Sequence, residues 1–215
     1  MDAFERIMEV GLIPVVSFED ASQAVPASRA LLAAGLGVVE ATMRTDAGVE
    51  AIRRVTAELP GMLVGAGTVL SVEKAMEAAG AGASFIAMPG FDDDVVAWCV
   101  KNGVAAMPGC VTPTEIQAAM RRGLRVLKFF PAGAYGGAEA LKALSGPFGP
   151  FGVRFVPTGG IDASNLAEYL CLPSVAAVGG GWLCSKRHLE AGDYAGIAKT
   201  AAEAIEISRA ARKAG

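Results

Sequence analysis

Eight short apolar runs alternate with amphipathic helical stretches along this chain. The predicted strands are Leu12–Phe18, Val38–Met43, Met62–Thr68, Ser84–Met88, Val104–Met107, Val126–Phe129, Arg154–Val156 and Val175–Gly179. The predicted helices are Ala21–Ala34, Ala47–Glu58, Val72–Ala79, Asp92–Asn102, Thr114–Arg122, Ala138–Leu144, Ser164–Leu170 and Tyr194–Ala211. Strands that are apolar on both faces, each followed by a helix, indicate a parallel sheet. Eight such units predict a closed (β/α)8 barrel rather than an open sheet.

The chain is expected to form one domain. Its 215 residues suit a single α/β barrel, and no linker or low-complexity tract divides them. Hydrophobic residues make up 53% of the sequence and charged residues only 19%, so one large core can be filled. We therefore predict a single TIM barrel over residues 1–215, with a short N-terminal helix at Phe4–Met8 before the first strand.

Charge and composition exclude several classes of protein. The net charge of −3 offers no basic surface for nucleic acid or an anionic membrane. No apolar stretch reaches membrane-spanning length, and the start at Met1–Arg6 lacks the apolar core of an export signal. The cysteines show no metal-ligand spacing, and His188 is the only histidine. We expect a cytoplasmic protein with reduced thiols and no metal site.

One amine lies inside an apolar run. Lys128 stands within Val126–Phe130 and Pro131 closes the segment, as expected of a buried strand. Lysine is rarely buried without a reason, and a dry environment favours the free amine that a Schiff-base nucleophile needs. The alternative is a lysine at a strand end, whose stem packs while its ammonium reaches water. This segment alone leaves both interpretations open.

Polar and glycine-rich positions follow the predicted strands, where the functional sites of such barrels lie. From the second strand to the eighth they are Glu40 with Arg44, Gly65–Thr68, Met88–Gly90, Met107–Cys110, Lys128 with Phe130, Pro157–Gly160 and Gly179–Trp182. One acid, two cations, two hydroxyls and two glycine-rich loops are therefore expected at one face. Glycine loops after the last two strands favour phosphate binding through backbone N–H groups.

Each of these positions also has a purely structural interpretation. Glu40 is predicted to move protons beside the amine, but it could simply pair with a nearby cation. Arg44 has the planar fork that binds a carboxylate, but it could be a surface cation on a loop. Thr68 could cap the following helix, and Gly159-Gly160 and Gly179–Gly181 could be simple turns.

The sequence resembles the 2-keto-3-deoxy-6-phosphogluconate (KDPG) aldolase family, which includes 4-hydroxy-2-oxoglutarate (KHG) aldolases. The resemblance spans nearly the whole chain and is carried by Val39–Thr45, Val64–Leu70, Lys128–Ala132 and Pro157–Ile161. It implies a class I aldolase, a homotrimer that needs no metal and no cofactor. Its substrates would be pyruvate and a phosphorylated keto-deoxy sugar acid. The implied reaction is cleavage of KDPG to pyruvate and D-glyceraldehyde 3-phosphate in the Entner–Doudoroff pathway.

The resemblance also assigns roles to individual residues. Lys128 would be the Schiff-base lysine and Glu40 the acid–base catalyst. The substrate-binding residues would be Arg44, Thr68, Pro89, Phe130, Thr158, Gly159, Gly160, Gly180 and Gly181. Within this set, Arg44 and Thr68 would hold the pyruvate carboxylate, and Thr158 would contact the sugar hydroxyls. The glycines would bind the phosphate.

Two positions depart from the family pattern. Gly181 stands where the family often has a serine, so a hydroxyl contact to phosphate is lost while backbone N–H binding remains. Gly133–Gly137 replaces a loop that often begins with glutamate, which leaves the substrate preference at that loop open.

Three other functions compete with KDPG cleavage. The same residues could cleave KHG, or the galactonate-derived C4 epimer of KDPG. Thr158 supplies a hydroxyl where galactonate-specific relatives are more apolar, which favours the gluconate substrate. The third is a non-catalytic barrel that binds phosphosugars and keeps Lys128 as a structural cation.

Apolar residues beyond a single helix face predict a subunit interface. They occur in Ala75–Ala79 and Val95–Val100, and Phe148 and Phe151 lie in a Gly/Pro segment that is expected not to bury them. Large apolar surface on a barrel marks an interface, and homo-oligomers usually close symmetrically. With the resemblance, this predicts a trimer.

Overall fold

A computed structural model describes residues 3–214 of the chain. The helices are α1 (Ala3–Val10), α2 (Ala24–Ala33), α3 (Ala47–Glu58), α4 (Val72–Gly80), α5 (Asp93–Lys101), α6 (Pro113–Arg121), α7 (Gly137–Phe148), α8 (Leu166–Leu170), α9 (Lys186–Ala191) and α10 (Tyr194–Ala214). The strands are β1 (Leu12–Val16), β2 (Val38–Thr42), β3 (Leu63–Gly67), β4 (Phe85–Ala87), β5 (Ala105–Met107), β6 (Val126–Phe129), β7 (Arg154–Pro157) and β8 (Val178–Gly180). None of the helices in this range is long and apolar enough to cross a membrane.

The strands pair in parallel and close into a barrel. One sheet has the order β5-β4-β3-β2-β1-β8, and β6 pairs with β7 in a second sheet. Isolated bridges join the two sheets. One connects Gly109 with Lys128 at the first seam, and two connect Phe155 with Val175 and Thr158 with Gly179 at the second. The predicted (β/α)8 barrel is confirmed.

The lumen of the barrel is packed with apolar side chains at the end where the strands begin. The residues that meet there include Ile13, Val38, Leu63, Phe85, Met107, Val126 and Val156. Ile7 of α1 packs against them and is fully buried. The predicted N-terminal helix is therefore confirmed, and α1 closes this end of the lumen. The polar groups lie at the other end, where the strands finish.

Helix starts follow from local capping chemistry. Ser71 and Asp92 accept hydrogen bonds from backbone N–H groups in the first turns of α4 and α5. Thr112 and Glu115 form a reciprocal capping box at the start of α6. Each cap satisfies an N–H group that has no partner within its helix. These three helices therefore begin where the sequence provides a side-chain oxygen for the first turn.

Two elements near the end of the barrel differ from the sequence prediction. Strand β8 begins at Val178 rather than Val175, because the N–H of Ala176 bonds to the carbonyl of Phe155 before the strand pairs with β1. Helix α9 was not predicted. It has only six residues, which is too short for an apolar repeat to appear in the sequence.

The Gly/Pro segment was predicted to leave both Phe148 and Phe151 unburied, and this prediction is wrong for Phe148. Helix α7 continues through Pro147 to Phe148, and the Phe148 side chain is buried in the outer core with 7% exposure. Phe151 is 66% exposed, as expected. The added helical turn places Phe148 against the barrel, whereas Phe151 follows in a short 3-10 turn that faces outward.

A stability prediction follows from two serines in helices. Ser28 of α2 is fully buried, and its Oγ has no hydrogen-bond partner in the described structure. Ser28→Ala removes an unsatisfied hydroxyl and improves helix propensity, so we expect stabilisation by about 1 kcal/mol in denaturant unfolding. Ser145→Ala is the matched control.

In α7, Ser145 Oγ donates to the Leu141 carbonyl at 2.6 Å and also contacts Ser174 Oγ. Its replacement should destabilise by about 1 kcal/mol, because Ser174 then loses its partner. Equal destabilisation by both substitutions would contradict the assignment of Ser28 as unsatisfied.

Candidate active site

A buried ion pair crosses the polar end of the barrel. The Lys128 Nζ lies 3.0 Å from Glu40 Oε1, and the two residues are 5% and 1% exposed. Strands β6 and β2 lie on opposite sides of the closed barrel, so these side chains meet across the lumen. Glu40 thus pairs with Lys128, as both its structural and its acid–base interpretation require. A carboxylate in contact with a buried amine can accept its proton and leave a nucleophile.

The backbone of both residues is held from two sides. Lys128 donates its N–H to the Pro108 carbonyl at 2.9 Å and accepts from the Cys110 N–H at 2.8 Å, while also pairing with β7. Glu40 is paired with Val15 of β1 and with Gly65 of β3. Reactive groups on such strands hold their positions better than groups on loops.

Glycine makes space for the polar side chains. A Cβ at Gly67 would lie 2.1 Å from Glu40 Oε1, and a Cβ at Gly179 would lie 2.2 Å from Thr158 Oγ1. Any side chain at either position would displace the neighbouring polar group. These strand glycines are therefore required by close packing in the lumen.

Arg44 is held by two hydroxyl groups. Its Nη2 donates to Ser17 Oγ at 2.7 Å, and its Nε makes a longer contact of 3.4 Å to Thr42 Oγ1. The two hydroxyls are themselves 2.6 Å apart. Thr42 is the last residue of β2 and lies two residues after Glu40. Ser17 directly follows β1 and lies two residues after Val15, which pairs with Glu40. The exposed guanidinium is oriented at the mouth of the barrel, where it can accept an anion.

Thr68 has a strained backbone. Its φ of 59° is the one positive value among non-glycine residues of the described chain. A β-branched residue is unfavourable in this region, and strain of this kind concentrates at functional sites. Thr68 does not cap α4, because Ser71 has that position. The alternative interpretation of Thr68 as a helix cap is therefore wrong.

Both glycine carbonyl groups in the loop after β7 accept hydrogen bonds. Gly159 and Gly160 have φ values of 93° and 75°, which favour glycine. The Gly159 carbonyl accepts from Gly133 and the Gly160 carbonyl accepts from Asn165 Nδ2, both at 3.0 Å. Within residues 3–214, the Gly160 N–H group has no hydrogen-bond acceptor. Unpaired N–H groups in such a turn form an anion-binding concavity.

Three other predicted residues, Pro89, Phe130 and Thr158, directly follow or lie near the ends of β4, β6 and β7. Lys128 Nζ is 5.6 Å from the centre of the Phe130 ring, within range of a cation–π contact. Thr158 is buried, and its bridge to Gly179 links the loops after β7 and β8. Pro89 follows β4 and packs its carbonyl against Gly109, where a Cβ would clash at 2.1 Å.

A cavity opens at the ends of β1, β2 and β8. Its volume is about 520 Å³, and it is lined by Val15, Ser17, Glu19, Arg44, Thr45, Gly181, Cys184 and Lys186. Small-molecule sites have volumes of this order. Val15 pairs in register with Glu40, so this wall of the cavity lies one strand from the ion pair. Gly180 precedes the exposed Gly181 at the rim.

A cavity at the opposite end of the barrel has a structural explanation. It measures about 290 Å³ and is lined in part by Met8, Arg154 and Arg212. The Arg212 guanidinium donates to the carbonyls of Met8 and Ala176, which ties α10 to the base of the barrel. The Arg212 guanidinium therefore has a structural role in these hydrogen bonds. The ion pair of Lys128 and Glu40 lies at the other end of the barrel. We therefore place the site at the ends of the strands.

Sequence reasoning did not identify several residues around the site. Ser17 and Thr42 orient Arg44, Asn165 holds the Gly160 carbonyl, and Lys186 lines the cavity. The alternation of β2 contains a signal for Thr42, because it lies two residues after Glu40 and so faces the same side. No comparable signal exists for Lys186, since it follows an unpredicted turn.

Comparison with known proteins identifies the family. The family model for KDPG and KHG aldolase matches residues 4–200. A 2-dehydro-3-deoxy-phosphogluconate aldolase of Treponema pallidum is 44% identical over 95% of this chain and 96% of its own. A KHG/KDPG aldolase of Escherichia coli is 43% identical over 94% of each chain. The chain belongs to the KDPG and KHG aldolase family.

Solved structures agree with this assignment. A KDPG aldolase of Legionella pneumophila, with pyruvate captured as a covalent carbinolamine, has a TM-score of 0.90 and 34% identity, covering 94% of this chain and 97% of its own. A KDPG aldolase of Zymomonas mobilis with 3-phosphoglycerate has a TM-score of 0.88 and 38% identity, covering 97% and 98%. The aldolase described here is an aldehyde-lyase of the class I, Schiff-base type.

The thiols of the aldolase are free and mostly buried. Cys99, Cys110 and Cys184 are buried, whereas Cys171 is exposed. Burial raises the pKa of Cys99 to about 11. Burial also raises the pKa of Cys184 to about 12, and that of Cys110 to about 12 with a contribution from the Glu115 charge. These three thiols remain protonated and therefore unreactive near neutral pH.

Alkylation should distinguish these thiols. Treatment of the native aldolase with iodoacetamide at pH 8 should modify Cys171 alone, because the thiolate is the reactive form and the other pKa values lie well above 8. Mass mapping after guanidinium unfolding should show all four cysteines modified. Rapid native labelling of Cys184, which lines the cavity, would contradict this prediction.

Proposed function

We propose that this aldolase cleaves KDPG to pyruvate and D-glyceraldehyde 3-phosphate through a Schiff base on Lys128. The observation that carries the proposal is the buried pair of Lys128 and Glu40 at 3.0 Å. A buried ion pair is weak support for stability, because burying both charges costs most of the attraction gained. A nucleophilic amine with an adjacent proton acceptor is what class I chemistry requires.

The first half of the reaction forms the electron sink. Glu40 takes a proton from the Lys128 ammonium, and the free amine attacks the C2 ketone of KDPG to give a carbinolamine. Glu40 then donates this proton to the carbinolamine hydroxyl, which leaves as water. An iminium remains, and Glu40 is again a carboxylate. Lys128 projects from a backbone held on both sides, so the iminium has a defined position relative to Glu40.

The second half breaks the carbon–carbon bond. Glu40, directly or through one water, accepts the proton of the C4 hydroxyl as the C3–C4 bond breaks. The bonding electrons move into the iminium to give an enamine, and the aldehyde leaves. Glu40 then returns a proton to C3, and hydrolysis of the resulting iminium releases pyruvate and restores Lys128.

Binding residues at the mouth orient the substrate. Arg44, held by Ser17 and Thr42, is suited to the C1 carboxylate, with Thr68 as a second donor. The N–H groups of the Gly159-Gly160 turn are suited to the phosphate, and Gly180 ends the neighbouring strand β8 with Gly181 directly after it. Phe130 and Pro89 would bound the pocket beside the amine, and Thr158 would contact a sugar hydroxyl.

KHG is a second candidate substrate. The E. coli relative carries both substrate names, and it is 43% identical to this chain. KHG shares the 2-keto acid part that Lys128 and Arg44 would bind, but it ends in a carboxylate. The glycine-rich loops after β7 and β8 favour a phosphate end, so we place KDPG first. The preference for the gluconate over the galactonate epimer rests on Thr158.

Borohydride trapping tests the Schiff base. Incubation of the aldolase with pyruvate and sodium borohydride should give one secondary-amine adduct, which peptide mass mapping should place on Lys128. Lys128→Ala should give no adduct and lose turnover, because Lys128 is the one buried lysine among the described residues. Glu40→Gln should reduce kcat by about 100-fold or more, since proton transfer contributes at least that much.

Lys74→Ala is the matched control for trapping. This exposed lysine pairs with Glu77 on α4, so its removal should leave both the adduct and the rate unchanged. A principal adduct on any lysine other than Lys128 would reject the proposed role. Loss of activity in EDTA would reject the class I mechanism.

We also propose that the aldolase is a cytoplasmic homotrimer. The family resemblance supports a trimer, and exposed apolar side chains provide candidate contacts. These are Leu70, Met76, Val100 and Phe151, each at least half exposed. Met76 and Val100 belong to α4 and α5, which pack side by side. Free cysteines support a reducing compartment.

Light scattering tests the assembly. At micromolar concentration the aldolase should have three times the chain mass of 21.9 kDa. Apolar side chains exposed in the single chain would be buried in such an assembly, which gives the physical reason for association. The mass of one chain, unchanged up to high concentration, would refute the trimer.

A further inference from the structure

Two cations and one acid line the same cavity. Arg44 and Lys186 border it from different sides of the barrel mouth, and Glu19 contributes a carboxylate at the rim. The cavity therefore carries an excess of positive charge. Arg44 is held by hydroxyl groups, whereas the nearest acid to Lys186 is Glu190, at 3.8 Å on the exposed surface of α9. An exposed contact of that length contributes little, so the Lys186 ammonium is available to a ligand.

Gly181 leaves space next to this ammonium. A Cβ at Gly181 would have only one neighbour within 4 Å, the Val15 carbonyl oxygen at 3.6 Å. This is ordinary van der Waals contact, and the Gly181 backbone has no positive φ. The cavity wall at position 181 therefore tolerates a side chain but lacks one. An anion in this part of the cavity finds no hydroxyl from position 181.

The phosphate loops lead directly to Lys186. The bridge between Thr158 and Gly179 places the Gly159-Gly160 turn beside the end of β8. Gly180 is the last residue of β8, and Gly181 begins a 3-10 turn, Gly181–Cys184, that brings the chain to Lys186. Of the glycines at this seam, Gly181 lines the same cavity as Lys186.

We propose that Lys186 binds the phosphate of the substrate and takes the place of a hydroxyl at position 181. The inference rests on the proposed function, in which the substrate carries anions at both ends. Arg44 then binds the carboxylate and Lys186 the phosphate. Lys186 acts in recognition, and the bond-breaking steps remain with Lys128 and Glu40.

Kinetics with and without the phosphate test this role. Lys186→Ala should raise KM for KDPG about five-fold to ten-fold, as expected for one partly exposed charge-assisted contact. The reverse reaction joins pyruvate to an aldehyde. In this direction, Lys186→Ala should lower kcat/KM for D-glyceraldehyde 3-phosphate about five-fold to ten-fold more than kcat/KM for D-glyceraldehyde, which has no phosphate. Arg187→Ala, which removes the next charge outside the cavity lining, should not change that ratio.

A rescue variant separates binding from folding. Gly181→Ser in the Lys186→Ala background should recover part of the phosphate preference, because the position has room for a hydroxyl. Lys186→Arg should retain most of it. An unchanged ratio in Lys186→Ala, or equal losses for both aldehydes, would overturn the proposal.

Direct binding keeps this test independent of turnover. Calorimetric titration with 3-phosphoglycerate should give a Kd about five-fold higher for Lys186→Ala than for wild type. Equal Kd values would overturn the role of Lys186 even if KDPG is cleaved. A wild-type protein that binds 3-phosphoglycerate through Lys186 but does not cleave KDPG would instead reject the proposed function alone.

Discussion

The ion pair between Lys128 and Glu40 is the interaction on which the rest of the site depends. It spans the lumen at 3.0 Å with both residues almost completely buried. Loss of one partner would leave an unpaired buried charge, which costs about 3–5 kcal/mol, whereas an apolar pair of similar volume could be as stable. Its cost is therefore understandable as a requirement of the chemistry. The packed base of the barrel below it supplies the stability that the polar end does not.

In the proposed mechanism, the position of Lys128 links catalysis to closure of the barrel. The two sheets meet only through short bridges, and one bridge is formed by Lys128 itself, opposite Gly109. The backbone N–H and carbonyl of Lys128 bond to Pro108 and Cys110 at the end of β5. The residue that presents the amine thus also closes a seam. Glycine at position 67 completes the arrangement, because any larger residue would collide with Glu40.

The sequence predicts the strands and the buried charged residues of this molecule better than the contacts between strands and the irregular turns. The eight strands were located because each is a short apolar run, and the isolated charges at Glu40 and Lys128 stood out within two of them. The hydroxyl pair that holds Arg44 was not found, because its members come from different strands and meet only through register. Helix α9 and Lys186 follow a short irregular turn without periodic pattern.

The two ends of the substrate would be recognised by cations of different mobility. Arg44 is fixed by hydroxyls from β1 and β2, so a carboxylate bound there aligns C2 with the Lys128 amine. Lys186 has a flexible stem and a distant acid on an exposed helix. Such a group can follow a phosphate without setting the geometry at the reacting carbon. The substrate would then be held rigidly at its carboxylate end, near the bond that breaks. At the phosphate end, the flexible Lys186 would allow aldehydes of different structure to bind.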